Sequence, residues 1–220
     1  MYIYLPSCKF SAASPESSRK IKAYLARKPK VRVAGCCRKE QAALQPEDAV
    51  ISICLTCSAI TREASPQVTE MSFWEYVLTD TAFPWPNFHG ERITVQDCWR
   101  ARHLPALHRA VRECLRRMNF QIVELDANKE RVRFDGTWLF NSTGIQRNRS
   151  LAPVFAAEAE RCLTPLPEAE QRSRMEEHAR QYATERIVAY CNACLAGIRL
   201  GTQSQKRGVH LMDLLTDKLV

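Results

Sequence analysis

The ten cysteines of this 220-residue chain are the residues with the clearest capacity for chemistry. Six of them form two CxxC pairs and one adjacent pair, namely Cys54/Cys57, Cys191/Cys194 and Cys36/Cys37. The first residues lack the basic start and the long apolar run of a secretory signal, so we expect a cytoplasmic protein with reduced thiols. Clustered cysteines in that setting indicate metal or redox chemistry rather than a disulfide framework.

Each CxxC pair stands between a strand-like segment and a helix-like segment. The apolar run 50–53 precedes Cys54, and the apolar run 187–190 precedes Cys191. The short turn within a CxxC pair brings its two Sγ atoms together, and a helix N-terminus lowers the pKa of a thiol there. Two pairs in the same setting therefore predict two thiolate sites, each at a strand-to-helix turn.

The order of strand-like and helix-like segments repeats along the chain. In the first half, strands lead to Cys8, to Cys36 and to Cys54. In the second half, strands lead to Cys98 and to Cys191, and helices alternate with the strands in both halves. This alternation predicts an α/β fold of two pseudo-repeated lobes, each built from parallel βαβ units. Ligands of such folds bind at the carboxyl ends of the strands, where these cysteines fall.

The repeat also predicts the organisation of the chain into lobes. Residues 1–82 are expected to form an N-terminal lobe, and residues 93–220 a C-terminal lobe. Residues 83–92 join them and are rich in proline and aromatic residues, which suits a packed hinge better than a free tether. The C-terminal lobe also carries a charged helical insertion at about 167–183.

The order of the cysteines resembles a known family over nearly the whole chain, as a tandem pair of motifs. The matching segments are Gly-Cys-Cys at 35–37, Gln-Asp-Cys at 96–98 with 104–105 and 111–112, and Tyr-Cys-Asn-Ala-Cys-Leu at 190–195. The family is that of the cysteine-rich CCG-domain proteins, typified by the CCG-domain component of heterodisulfide reductase and by related components of glycolate oxidase and anaerobic glycerol-3-phosphate dehydrogenase. The resemblance implies that each complete motif binds a noncubane 4Fe-4S cluster through five cysteines. It further implies disulfide cleavage by one-electron steps.

The first lobe carries a complete set of five cysteines. The resemblance assigns them to the first site as Cys8, Cys36, Cys37, Cys54 and Cys57. Five thiolates are one more than an ordinary cubane cluster needs, which agrees with a noncubane 4Fe-4S cluster. Arg38 stands in place of the family's glycine, and the stretch between Cys37 and Cys54 is shorter than usual. Arg38 and Lys39 would offset the negative charge of a cluster, or serve only the solubility of the surface.

The second lobe departs further from the family, because Phe-Asp-Gly at 134–136 stands where CCG is expected. Its remaining thiol ligands are Cys98, Cys191 and Cys194. Three residues are candidates for a fourth ligand, each with an ordinary structural role as the alternative: Asp97, Asp135 and His103. A fourth ligand would suit zinc or a second 4Fe-4S cluster, and the remaining alternative is a degenerate site without metal.

The remaining residues bear on partners and packing. Cys114 and Cys162 lie in apolar surroundings and are predicted to be core residues. The formal net charge is +8, and four arginines are predicted on the solvated side of an amphipathic helix: Arg109, Arg112, Arg116 and Arg117. The same charge would steer an acidic redox partner such as a ferredoxin or a flavoprotein. Basic residues are not interleaved with exposed aromatics as single-strand binders require, and no apolar run is long enough to cross a bilayer.

The sequence thus predicts an iron–sulfur redox protein similar to the CCG-domain component of heterodisulfide reductase, which reduces a disulfide or a related sulfur substrate. Two other functions remain open at this point. One is a non-catalytic electron-transfer subunit of a larger oxidoreductase complex. The other is a zinc-binding structural module.

Overall fold

The computed structural model describes residues 1–203 and 205–220, and it confirms the predicted α/β class. The first lobe contains a four-stranded sheet in the order β2-β1-β3-β4, with every neighbouring pair parallel. Its strands are β1 (Tyr2–Leu5), β2 (Val31–Val33), β3 (Ala49–Ser52) and β4 (Thr69–Ser72). Residues of β1 and β3 are almost entirely buried, as parallel strands covered on both faces require.

The second lobe repeats this sheet in the same order. The strands are β5 (Arg92–Gln96), β6 (Gln121–Val123), β7 (Arg186–Ala189) and β8 (Arg207–His210). They pair in parallel in the order β6-β5-β7-β8, so each strand takes the place of its counterpart four strands earlier. The predicted pseudo-repeat of parallel βαβ units is therefore confirmed at the level of topology.

Helices connect and cover the strands, together with several short 3-10 turns. In chain order they are α1 (Cys8–Ala13), α2 (Pro15–Ala26), α3 (Cys37–Glu40), α4 (Leu55–Ala64), α5 (Phe73–Thr79), α6 (Pro105–Arg117), α7 (Ser142–Gln146), α8 (Pro153–Arg161), α9 (Glu168–Ala179), α10 (Asn192–Thr202) and α11 (Leu211–Leu215). Helix α9 lies within residues 167–183, where the sequence predicts a charged helical segment. None of the helices in the described part of the chain is both long and apolar enough to span a membrane.

Helix α6 shows both the success and the limit of the amphipathic pattern. Leu107, Val111 and Leu115 are buried on one face, and the predicted solvated arginines are exposed with one exception. Arg112 is only 3% exposed, so its predicted position on the solvated side is wrong. Its guanidinium donates to Asp97 at 2.8 and 2.6 Å and to Glu124 at 2.8 and 2.7 Å, and these carboxylates compensate the buried charge.

The two lobes pack against one another rather than hang from a free linker. One hydrophobic cluster includes Tyr4 and Phe73 of the first lobe and Val111 and Leu215 of the second. Across the same boundary, the ring of Phe10 lies 4.7 Å from the ring of His210. The carboxyl ends of both sheets therefore meet at a shared cleft, which is lined by Cys8, Cys37, Cys54, Cys57 and Cys191.

The two predicted core cysteines have different outcomes. Cys114 is fully buried on α6, and its Sγ lies 3.7 Å from the carbonyl oxygen of Trp74, so this prediction is confirmed. Cys162 is exposed, and its prediction is wrong. It follows the last residue of α8, beyond the buried face that Phe155, Ala156 and Ala159 form.

Candidate metal centres

All eight predicted cysteine ligands follow the carboxyl end of a strand. Cys8 comes after β1, Cys36 and Cys37 after β2, Cys54 and Cys57 after β3, Cys98 after β5, and Cys191 and Cys194 after β7. Because the strands of each sheet are parallel, these ends lie at one edge, as the fold rule for ligand sites requires. The three predicted cysteines of the second lobe meet there in one compact group.

The second-lobe group has four buried members: Cys98, Asp135, Cys191 and Cys194. One ligand atom of each lies within 4.8 Å of the ligand atoms of all the others, and the group could hold a metal ion. Four thiolates at about 2.3 Å from a tetrahedral ion would stand about 3.8 Å apart, so this spacing is compatible with a single ion. We refer to these four residues as the second site.

The structure places Asp135, among the three candidates for a fourth ligand, at the thiols. Its Oδ1 accepts from Cys98 Sγ at 2.9 Å and lies 3.9 Å from Cys194 Sγ. Its Oδ2 is buried and has no hydrogen-bond partner among the described residues. A buried carboxylate oxygen without a partner is costly unless a cation or a donor occupies the neighbouring space, which suits a metal ligand.

The other two candidates have different roles. Asp97 is completely buried, but it accepts hydrogen bonds from Arg112, from Tyr190 Oη at 2.8 Å and from the backbone N–H of Lys129 at 2.9 Å. His103 has a side chain that is 74% exposed, 3.7 Å from Glu158. Asp97 therefore organises the loops around β5, and His103 lies on the surface.

A buried arginine completes the second site. Arg100 Nη2 lies 2.8 Å from Asp135 Oδ1 and donates to Cys191 Sγ at 2.9 Å. Its Nη1 donates to Thr56 Oγ1 at 3.3 Å, inside the CxxC turn of the first lobe. The guanidinium carbon lies 4.7 Å from the centre of the Trp138 ring. One cation thus contacts both CxxC turns, because Thr56 lies between the two cysteines of the first.

The electrostatics of the second site favour one thiolate in the absence of metal. Hydrogen bonds from Cys194 and Cys98, with the charge of Arg100, hold the pKa of Cys191 well below its usual value. Burial raises the pKa of Cys98 and Cys194 well above theirs. Burial also raises the pKa of the Asp135 carboxyl to about 6, against the opposing effect of Arg100. A bound cation would favour the deprotonated form of all four groups.

Backbone geometry puts Asp135 in place. Gly136 has a φ of 59°, and a Cβ built on it would collide with the carbonyl of Ala193 inside the second CxxC turn. Helix α9 closes the site from the other side, since Met175 packs where Gly197 and Gly201 of α10 leave room. Gly136 is therefore needed for close approach as well as for its backbone angle.

Substitution of Gly136 by alanine is expected to lower the free energy of unfolding by about 3 kcal/mol or more, because both the angle and the collision oppose a side chain. Equilibrium urea denaturation under anaerobic conditions measures this loss. Gly35→Ala is the matched control: its new Cβ would lie 3.3 Å from the flexible end of Glu40, and its φ is not positive. Equal stability of the two variants would contradict this assignment.

The first-lobe thiols form a more open arrangement. Interactions with the Cys57 thiol lower the pKa of both Cys37 and Cys54, that of Cys54 to about 5. Backbone N–H groups of Thr56 and Cys57 and the charge of Arg100 lower the pKa of Cys54 further. The same two interactions raise the pKa of Cys57. Cys54 is therefore the first-lobe counterpart of Cys191, each at the N-cap of its helix.

Four of the five predicted first-site cysteines line one cavity of about 350 Å³ in the cleft between the lobes. They are Cys8, Cys37, Cys54 and Cys57, and Cys191 of the second site lines the same cavity. Cys8 is exposed at its edge. Cys36 is half-buried at the N-cap of α3 and does not contribute to the cavity lining. The structure thus brings four first-site thiols and one second-site thiol to the same cavity, while Cys98, Cys194 and Asp135 lie outside its lining.

Sequence reasoning missed Arg100 and Trp138. Arg100 follows Cys98 by two residues, and a cation so close to a thiol ligand was a usable signal. Trp138 lies in the stretch that separates the 134–136 turn from α7, where the sequence has no periodic pattern that would place it at the cavity.

No protein-family model, no curated protein and no solved structure matches this chain.

Proposed function

We propose that this chain is an iron–sulfur redox protein, similar to the CCG-domain component of heterodisulfide reductase, that reduces a disulfide or a related sulfur substrate. The cysteines that would hold the noncubane 4Fe-4S cluster are Cys8, Cys36, Cys37, Cys54 and Cys57. The observation that carries the proposal is the single cavity that four of these cysteines line. When bound, such a cluster would supply single electrons to a substrate in that cavity.

The residues around the first site fit an anionic, thiolate-bound group. Cys54 is poised as a thiolate at neutral pH, since its pKa is lowered to about 5 by Cys57 and by the N-terminus of α4. Arg38 and Arg100 line the cavity beside the thiols, and their charges would compensate the negative charge of a thiolate-bound cluster there. Cys8 is exposed, so a metal ion bound by its thiolate would be accessible to a small molecule.

The second site fits a different role. Its three thiols and one carboxylate can hold a zinc ion, or a 4Fe-4S cluster with one ligand on each iron, and the four residues are between 0 and 7% exposed. Sites with four protein ligands are structural or store electrons, because the ligands leave no coordination position for substrate. We therefore propose that substrate binds at the first site, and that the second site stabilises the cleft and holds Arg100 in place.

Anaerobic turnover tests the catalytic part of this proposal. With a reduced viologen as donor and a small disulfide as acceptor, the metal-loaded protein should oxidise the viologen, and Cys54→Ser should lose this activity. Cys114→Ser is the matched control, since Cys114 is buried on α6 and belongs to neither thiol group. A protein that binds the cluster and exchanges electrons with the viologen but never consumes disulfide would instead be an electron-transfer subunit.

A further inference from the structure

The cavity between the lobes has an unusual balance of charge. Four cationic side chains line it, Lys9, Arg38, Arg100 and Arg147, and no aspartate or glutamate of the described residues does. Cationic side chains that no carboxylate of the cavity lining neutralises attract an anion that enters the cavity. The cavity therefore favours a negatively charged occupant over a neutral one.

The four cations differ in what they already bind. Arg100 lies at the buried end of the cavity and is satisfied by Asp135 and Cys191. Arg38 donates to uncharged oxygens only, the carbonyl of Arg147 at 2.7 Å and the side-chain amide of Asn148. Within residues 1–203 and 205–220, no salt bridge involves Lys9, Arg38 or Arg147.

The positions of these cations distinguish the one that contacts a thiol from those that are accessible to a ligand. The cation that contacts thiol groups directly is Arg100, which is buried. Lys9 and Arg147 are exposed at the cavity and come from opposite lobes, from α1 and from the end of α7. A ligand whose anionic groups reach them would lie in the same cavity as Cys54 and Cys57, which also line it.

We propose that Lys9, Arg38 and Arg147 form an oxyanion-binding subsite for a small organic acid, such as a carboxylate, that binds in the same cavity as the first-site thiols. The subsite adds to the proposed function, and it depends on that function only for the expectation that the natural ligand carries a reducible sulfur group. The requirement for an anionic group follows from the cavity itself and does not need the ligand to be reducible.

Calorimetric titration of the anaerobically purified, metal-loaded protein tests the subsite. The probes are adipate, its neutral dimethyl ester, and dithiodiglycolate, a dianionic disulfide of the same chain length. Adipate and dithiodiglycolate should bind about tenfold more tightly than the ester, because two solvent-accessible ion pairs contribute somewhat less than about 1 kcal/mol each. The affinity for adipate should fall as the salt concentration rises.

Two neighbouring arginines provide a matched pair of variants. Arg147→Gln should weaken adipate binding about fivefold while metal content stays unchanged. Arg149→Gln should leave the affinity unchanged, since Arg149 lies outside the cavity and pairs with Glu160 at 2.7 Å. Equal affinity for adipate and its ester, or loss of metal without loss of adipate binding in Arg147→Gln, would overturn the subsite. Adipate has no disulfide, so its binding is independent of whether the chain reduces one.

Discussion

Replacement of Arg100 by glutamine is expected to lower the free energy of unfolding by about 3–5 kcal/mol and to release the metal of the second site. The substitution removes the cation that Asp135 and Cys191 share while both remain buried. An unpaired buried charge of this kind is among the most costly single defects in a folded protein. Urea denaturation and metal analysis of the same anaerobic preparation measure the two effects.

Arg102→Gln is the matched control for this prediction. Arg102 lies two residues further along and stacks on Trp99, 3.8 Å from the ring centre, with a salt bridge to the half-exposed Glu158. Loss of such a pair costs about 1 kcal/mol or less, and no thiol ligand is affected. If Arg100→Gln is as stable and as rich in metal as Arg102→Gln, then Arg100 has no special role at the thiols.

Asp135→Asn is expected to weaken metal binding at the second site by about 100-fold or more, because a neutral amide replaces a charged ligand. The change preserves the shape of the side chain, so packing against Gly136 and α10 should persist. Asp135→Cys should restore tight binding, since it supplies a fourth thiolate at the same position. Competition with a chromogenic chelator measures both affinities.

The control for the Asp135 variants is Asp97→Asn, which alters the neighbouring buried carboxylate. Asp97 binds Arg112 and Tyr190 and does not belong to the compact ligand group. Its replacement should lower stability through the loss of the Arg112 pair while the metal affinity of the folded protein stays the same. Equal loss of metal in both variants would show that Asp135 is not a ligand.

The fold was readable because its signals are local and repeated. Apolar runs of strand length alternate with helical patterns, and Pro15 and Pro105 are the first residues of α2 and α6, a position that proline favours. The rule for ligand sites in parallel sheets then placed the cysteines at one edge without any knowledge of tertiary contacts. Local patterns and one topological rule therefore account for the architecture and for the second-site thiols.

The fourth ligand of the second site could not be predicted from the sequence, because its identity depends on contacts between segments that are distant in the chain. Asp97 and Asp135 are both buried. Only the structure shows that Asp97 forms an ion pair with Arg112 of α6 and is therefore not available to a metal. The buried position of Arg112 itself contradicts the helical pattern for the same reason. Cys162 failed differently, because the apolar run before it ends too early to bury it.

The central claim is that the chain holds two distinct centres, an iron–sulfur cluster at the first site and a separate metal centre at the second. Iron, zinc and acid-labile sulfide per chain, measured after anaerobic purification and cluster reconstitution, test it most directly when wild type is compared with Cys54→Ser and Cys98→Ser. We predict that Cys54→Ser loses about four iron and four sulfide per chain and keeps the metal of the second site, while Cys98→Ser does the reverse. A colourless protein that contains only zinc and no sulfide would contradict the claim.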